Sequence, residues 1–293
     1  MLTILLGLFA GCAGAGEPPP DGRQDMLQLR WTGDEPVTLG PDAFVGRQAL
    51  DPIHGPPVGI AVQPDTGRRL VLTSFGVLQD LDTEELLPSL EEPNGGALGD
   101  IVGLGDGLLA VTGMNDGYLV STSDGVLRQH FCFLPGWQEN DPGLQDPMQL
   151  ARALGFDAER ERLYAQPRMW ENGGFGPLTD SFLSSYALSD GADLTWWNMP
   201  STEVEAGGMI VLDAGPNDMG RDAPTLLLSV GMTFARLDGV TGELEPFARI
   251  APEAGILDVA GMAYDAPNDA VLIAAVEADG ASVRSLPLAA LGL

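Results

Sequence analysis

The 293-residue chain contains no lysine; all fourteen of its basic residues are arginine. That absence removes Schiff-base chemistry, a P-loop phosphate site and a Ser–Lys nucleophile pair, each of which needs a lysine amine. Histidine is nearly as scarce, with only His54 and His130, so a multi-histidine metal centre is excluded too. Cysteine appears twice, as Cys12 and Cys132. Cys132 lies in the apolar run Phe131-Cys132-Phe133-Leu134 and reads as a buried small hydrophobe, because a reactive thiol wants exposed, electropositive surroundings. Positive charge is short overall: 42 acids face 14 bases, for a formal charge of −28. Such a surface repels nucleic-acid phosphates and anionic lipid headgroups, so no nucleic-acid partner is expected. It is compatible with cation binding, although a well-hydrated surface explains it as simply. The apolar fraction, 44%, is ordinary for a globular domain.

Several catalytic patterns are missing as well. There is no G-x-S-x-G elbow, and neither histidine has a local context suggesting a Ser–His–Asp triad. Asp80, Asp82, Glu84 and Glu85 lack the spacing and glycine of an EF-hand loop. The acidic, Gly-rich excursion with Asp213, Asn217, Asp218 and Asp222 reads as a solvated turn, with Ca²⁺ binding as the other reading. No segment sustains a 3.6-residue apolar period beyond short pieces such as 146–154.

The apolar run 2–11 falls well short of the roughly 20 residues of a membrane-spanning helix, and suits the core of a secretory signal. Leu8-Phe9-Ala10-Gly11-Cys12 resembles a bacterial lipobox, which implies a signal peptide over 1–11 and lipid on Cys12. A plain secretory signal cut after Ala13-Gly14-Ala15 is the other reading. Residues 12–25, with Pro18, Pro19 and Pro20, read as an extended tether, and 26–293 as the folded domain. With Cys12 acylated, Cys132 has no partner for a disulfide. The expected location is the bacterial cell envelope, on the periplasmic or surface side of the outer membrane.

What is present is a repeat. Residues 59–72, GIAVQPDTGRRLVL, return as 261–274, GMAYDAPNDAVLIA, with a looser copy in 153–165. Each is a strand, a polar turn and a strand. Inner-strand candidates begin near Gly59, Val102, Ala153, Gly208 and Gly261, at intervals of 43, 51, 55 and 53 residues. Short strands recurring at roughly 40–50 residues are the mark of propeller blades. The fold expected is all-β: a single β-propeller of five four-stranded blades, or six if 36–50 hold strands of their own. The last repeat supplies only three strands, so an N-terminal strand is expected to close the ring, and the alternation in 26–31, MLQLRW, nominates that segment. Two β-sandwich domains would explain the strands but not their recurrence.

In a propeller, one face is built from the loops entering each inner strand and those joining second and third strands. On that assignment His54, Asp100, Glu205 and Asp258 precede inner strands. Asn115 and Asp116, then Arg168, Trp170, Glu171 and Asn172, fall in second-to-third-strand loops. These ten residues form the candidate ligand face, and oxygen ligands from several blades are the kind of set that holds Ca²⁺. Each acid on its own is also an ordinary turn residue. The loop 167–182 is the longest of its type, with Gly173 and Gly174 as a hinge and Trp170 as a ligand platform or a plug. Trp196 and Trp197 fall in an outer strand.

The repeat GIAVQPDTGRRLVL, with a later hydrophobic–Asp–x–x–Gly turn, resembles the broad superfamily of NHL, YVTN and gluconolactonase-like propellers across roughly 26–290. For gluconolactonase-like members the resemblance implies a divalent metal held by a Glu before the first inner strand with Asn and Asp residues. Here His54 stands where that Glu would be, and Asp258 answers to the metal-binding Asp. The expected function is a non-catalytic, monomeric binding or scaffolding module, anchored to the membrane through Cys12, for a protein or small ligand. The alternative is a divalent-metal-dependent hydrolase of lactonase or esterase type.

Overall fold

A computed structural model describes residues 25–26, 29–33, 35–92, 96–114, 116–132, 148–170, 178–191, 193–199, 205–213 and 224–292. Within these ranges the side chains at 25–26, 132, 148–149, 167–170, 178–182, 193–199 and 213 are not described. The segments read as signal peptide, lipobox and most of the tether lie outside the described residues. Among the described residues, no helix is long and apolar enough to cross a membrane.

Four short strands come first: β1 (Asp25–Met26), β2 (Arg30–Trp31), β3 (Val37–Leu39) and β4 (Val45–Ala49). Five antiparallel sheets follow. Blade one holds β5 (Pro57–Val62), β6 (Arg69–Thr73) and β7 (Leu78–Asp80), with the Gln79–Leu86 bridge standing in for a fourth strand. Blade two holds β8 (Ile101–Gly105), β9 (Leu108–Thr112), β10 (Asp116–Ser121) and β11 (Arg128–Cys132). Blade three holds β12 (Met148–Asp157), β13 (Arg162–Trp170), β14 (Leu178–Ala187) and β15 (Asp193–Met199). Blade four holds β16 (Ala206–Asp213), β17 (Thr225–Val230), β18 (Thr233–Asp238) and β19 (Glu243–Ile250). Blade five holds β20 (Ile256–Asp265), β21 (Ala270–Glu277) and β22 (Gly280–Pro287), and a short helix, α1 (Leu288–Leu291), ends the described chain. The inner strands β5, β8, β12, β16 and β20 each touch the next, and β20 returns to β5, so the sheets form a five-bladed ring.

The sequence builds this ring locally. Turns between strands are made by aspartates whose carboxylates accept the backbone N–H groups two and three residues on. Asp238 Oδ1 accepts from Val240 N at 2.7 Å and from Thr241 N at 3.0 Å, and Gly242 then takes φ +73°. Asp80 and Asp157 do the same, and Arg68 and Arg160 pair with them. Part of the chain's acidity is therefore turn chemistry.

Five apolar clusters fill the five gaps between blades. Ala61, Leu72, Ile101 and Val111 lie between blades one and two, and Ala110, Leu154, Phe131 and Tyr186 between two and three. Ala153, Tyr164, Met209 and Leu228 join three to four, and Leu227, Phe234, Met262 and Ile273 join four to five. Ile60, Val71, Leu272 and Ala274 complete the circle. At the centre the inner strands approach so closely that side chains do not fit. A Cβ on Gly261 would stand 2.8 Å from Gly59 Cα, and one on Gly207 would stand 1.8 Å from Val259 O. The glycines that open the sequence repeats are thus the points where the first and last blades meet.

The closing strand is not 26–31. β1 lies parallel to β15 and β2 parallel to β19, as does β3, so residues 25–39 add outer strands to blades three and four. The strand that completes blade five is β4, antiparallel to β22 with Arg47 opposite Arg284. This also removes the sixth blade, because 36–50 are spent on β3 and β4. Of the short apolar piece 146–154, residues 148–154 belong to β12, a strand with a bulge, and not to a helix.

Candidate functional site

The connections named above place one face of the ring at the starts of β5, β8, β12, β16 and β20, together with the β6–β7, β9–β10, β13–β14, β17–β18 and β21–β22 loops. The predicted residues behave very differently there.

Asp100 is fully buried. Gly99 N and Asp100 O both bond to Thr112, leaving two residues opposite one, so Asp100 sits in a bulge just before β8. Its Oδ1 accepts from Ile101 N at 2.8 Å and its Oδ2 from Leu154 N at 2.9 Å, on the inner strand of blade three. Thr112 Oγ1 accepts from Asp100 N and donates to Ala151 O, both at 2.7 Å. Burial pushes the Asp100 pKa well above the ordinary aspartate value against the pull of the two backbone donors. Asp100 thus ties the entry of β8 to the inner strand of blade three through both of its carboxylate oxygens.

Asp116, at the start of β10, belongs to a second group. Gln129 Nε2 donates to Asp116 Oδ1 at 2.8 Å, and Tyr118 Oη donates to the buried Glu92 at 2.6 Å. Glu92 Oε2 accepts from Gly96 N, which folds the chain approaching β8 over blade two. Burial, and then the Glu92 charge, raise the Asp116 pKa, while the Gln129 bond lowers it. Glu92 and Tyr118 were not singled out in the sequence, where nothing sets Glu92 apart from its neighbour Glu91.

Glu205 stands exposed before β16 and faces Arg152 of blade three at 3.7 Å. Arg152 occupies the β12 bulge, an irregularity that sequence alternation does not reveal. Asp258 lies in β20 beside a bulge, exposed, its side chain making no hydrogen bond or ion pair among the described residues. His54 is half-buried at the end of the 3₁₀ turn Pro52–His54, where the Asp51 side chain accepts from Ile53 N. The loop is tied to blade one by Ser74 N donating to Pro56 O at 2.8 Å.

Asn115, Glu171 and Asn172 lie outside the described residues. Arg168 and Trp170 are not in a loop: the pairing of β13 with β14 runs on through Arg168–Ser181 to Trp170–Leu178, so the connection shortens to 171–177. Strand alternation simply continues past Pro167, which pairs with Ala151 inside the ladder. Trp196 and Trp197 fall in the outer strand β15 as expected, and Met26 and Asp25 lie beside it.

A metal cradle built from these acids does not match the described side chains. Both Asp100 oxygens are engaged by backbone donors, Glu205 faces Arg152, and among the described residues no three His, Cys, Asp or Glu side chains stand close enough to share an ion. The face therefore offers Asp258, His54 and the Arg152–Glu205 pair to solvent, with Asp100, Glu92 and Tyr118 serving the frame beneath.

No family model matches the chain, and no curated protein matches it. Among solved structures it is similar to regucalcin, a calcium-binding protein from Agrobacterium tumefaciens, at 12% identity over 86% of this chain and 97% of that one, with a TM-score of 0.46. It is also similar to the soluble aldose sugar dehydrogenase of Escherichia coli in its apo form, at 10% identity over 82% and 98%, with a TM-score of 0.43.

Proposed function

We propose that the chain is a non-catalytic binding or scaffolding propeller, held by lipid on Cys12 in a bacterial cell envelope as a monomer. The observation that carries the non-catalytic reading is the state of Asp100. The most strongly perturbed carboxyl on the face is the usual place to look for an acid or base, yet both of its oxygens are held by backbone N–H groups of two different blades. What remains in solvent is a set of separated groups suited to contact and not to bond-breaking.

A divalent-metal-dependent hydrolase is the second reading, and the availability of Asp258 favours it. Thermal unfolding with and without Ca²⁺ separates the two. An unchanged Tm with any divalent ion fits the binding module. A rise with Ca²⁺ that disappears in Asp258→Ala overturns it in favour of the hydrolase.

A further inference from the structure

Large apolar side chains face solvent in blades one, two, four and five. Among the described residues the most exposed large ones are Ile53, Phe75, Val37 and Leu257, at 74, 70, 64 and 63%. Three of these four stand on the candidate face, in the neighbouring blades five and one. Ile53 lies in the loop entering β5, Phe75 in the β6–β7 loop, and Leu257 at the start of β20. They are presented on fixed backbone. Asp51 Oδ1 accepts from Ile53 N at 3.0 Å, and Leu257 lies in a strand bulge. Gly55, at φ +82°, leaves the space that Phe75 occupies, since a Cβ there would stand 3.0 Å from the ring.

Carboxylates flank them in the chain. Asp51, Glu253 and Asp258 are exposed, and no described arginine pairs with any of them. Of the arginines bordering this sector, Arg47 is already committed to Glu277 and Asp279, and Arg249, exposed at the end of β19, donates to Thr233 Oγ1. The charge decides between occupants. A second copy of this chain would bring the same carboxylates against these, and anionic lipid or nucleic acid would be repelled.

Resting on the reading of this face as a binding surface, we infer that its blade-five and blade-one sector docks a basic peptide segment of another protein. The apolar side chains of that segment would cover Ile53, Phe75 and Leu257 while its Arg or Lys residues meet Asp51, Glu253 and Asp258. Preformed loops carrying bulky apolar groups inside a charged rim are the usual anatomy of such contacts.

The test is to pan a random-peptide phage library on the full chain and measure the enriched peptides by fluorescence anisotropy. The expected peptides combine Arg or Lys with Leu, Ile, Phe or Trp. Their affinity should fall about tenfold in Ile53→Ser and Phe75→Ser and weaken as salt rises. Both positions are solvent-facing, so an unchanged Tm confirms that each variant is folded. Acidic or uncharged peptides, or no binder at all, would overturn the inference. Binding lost in Arg152→Ala and kept in Phe75→Ser keeps the face as a binding surface but sinks this sector. Binding lost only in Val240→Ser, in the β18–β19 turn on the opposite face, sinks both.

Discussion

Arg47 reaches from the N-terminal strand β4 to Glu277 at the end of β21, its Nε and Nη2 donating to one carboxylate oxygen at 2.9 and 2.5 Å. The other oxygen accepts from Ser282 Oγ at 2.5 Å and from Arg284 Nε at 2.8 Å. One buried carboxylate, on β21, therefore ties the closing strand β4 to β21 and β22 together.

Burial raises the Glu277 pKa, the bonds from Arg47, Ser282 and Arg284 lower it, and the net value lies below the ordinary glutamate range. A lowered folded value gives a contribution that is complete above the unfolded range, near pH ~4.3, and lost as pH falls through the folded value. Glu277→Gln should cost about 3 kcal/mol at neutral pH, by stripping a buried acceptor from its cations. Thermal unfolding against pH checks this: the deficit should shrink below about pH 4, and a deficit that stays constant in acid contradicts the linkage.

Asp100 carries the opposite sign. Its folded pKa is raised, so its contribution is complete below the unfolded range, near pH ~3.9, and declines as pH rises toward the folded value. Asp100→Asn keeps one acceptor and gives up the other, a cost of about 1–3 kcal/mol. Because the amide does not ionise, the Tm of the variant should gain on the parent as pH rises from about 4. A difference independent of pH across the acid-to-neutral range rejects this account.

Gly261→Ala tests the close approach at the centre. The new methyl would meet the backbone of Gly59, which cannot move without shifting blade one. A loss of about 1–3 kcal/mol is expected. Gly40→Ala is the control, because a Cβ there meets nothing within 4 Å. Equal Tm values for the two variants would mean that the inner strands are not packed as described.

For the anchor, Cys12→Ser should move the protein from the membrane fraction to the soluble fraction on ultracentrifugation. Retention of the variant in membranes rejects lipid attachment at Cys12.

The repeat was legible because its physics is local. Gly59 and Gly261 mark inner strands that admit no side chain, and apolar alternation with an Asp-led turn specifies each hairpin without reference to the rest of the chain. The closing strand was not legible for the complementary reason. β4 is exposed at four of its five positions, and only Gln48 is partly covered, so no alternation advertises it. MLQLRW alternates convincingly, but a pattern identifies a strand and not its neighbour. The candidate face divides the same way. Connection order placed His54, Glu205 and Asp258 on one side of the ring. Whether an acid there binds a ligand or clasps two blades depends on bulges and inter-blade distances, and Asp100 became a clasp through contact with Leu154, in another repeat.

The Arg47–Glu277 lock joins residues separated by 230 positions. At ribosomal rates of about 5–20 residues per second, β4 therefore waits roughly 10–50 s for its partner to be made. During that interval it is an unpaired strand in solution, the kind of segment that recruits other chains. Its composition, Val-Gly-Arg-Gln-Ala, holds one β-branched residue, one glycine and one cation. The weak pattern that hid this strand in the sequence is thus the property that lets it stay soluble until the ring can close.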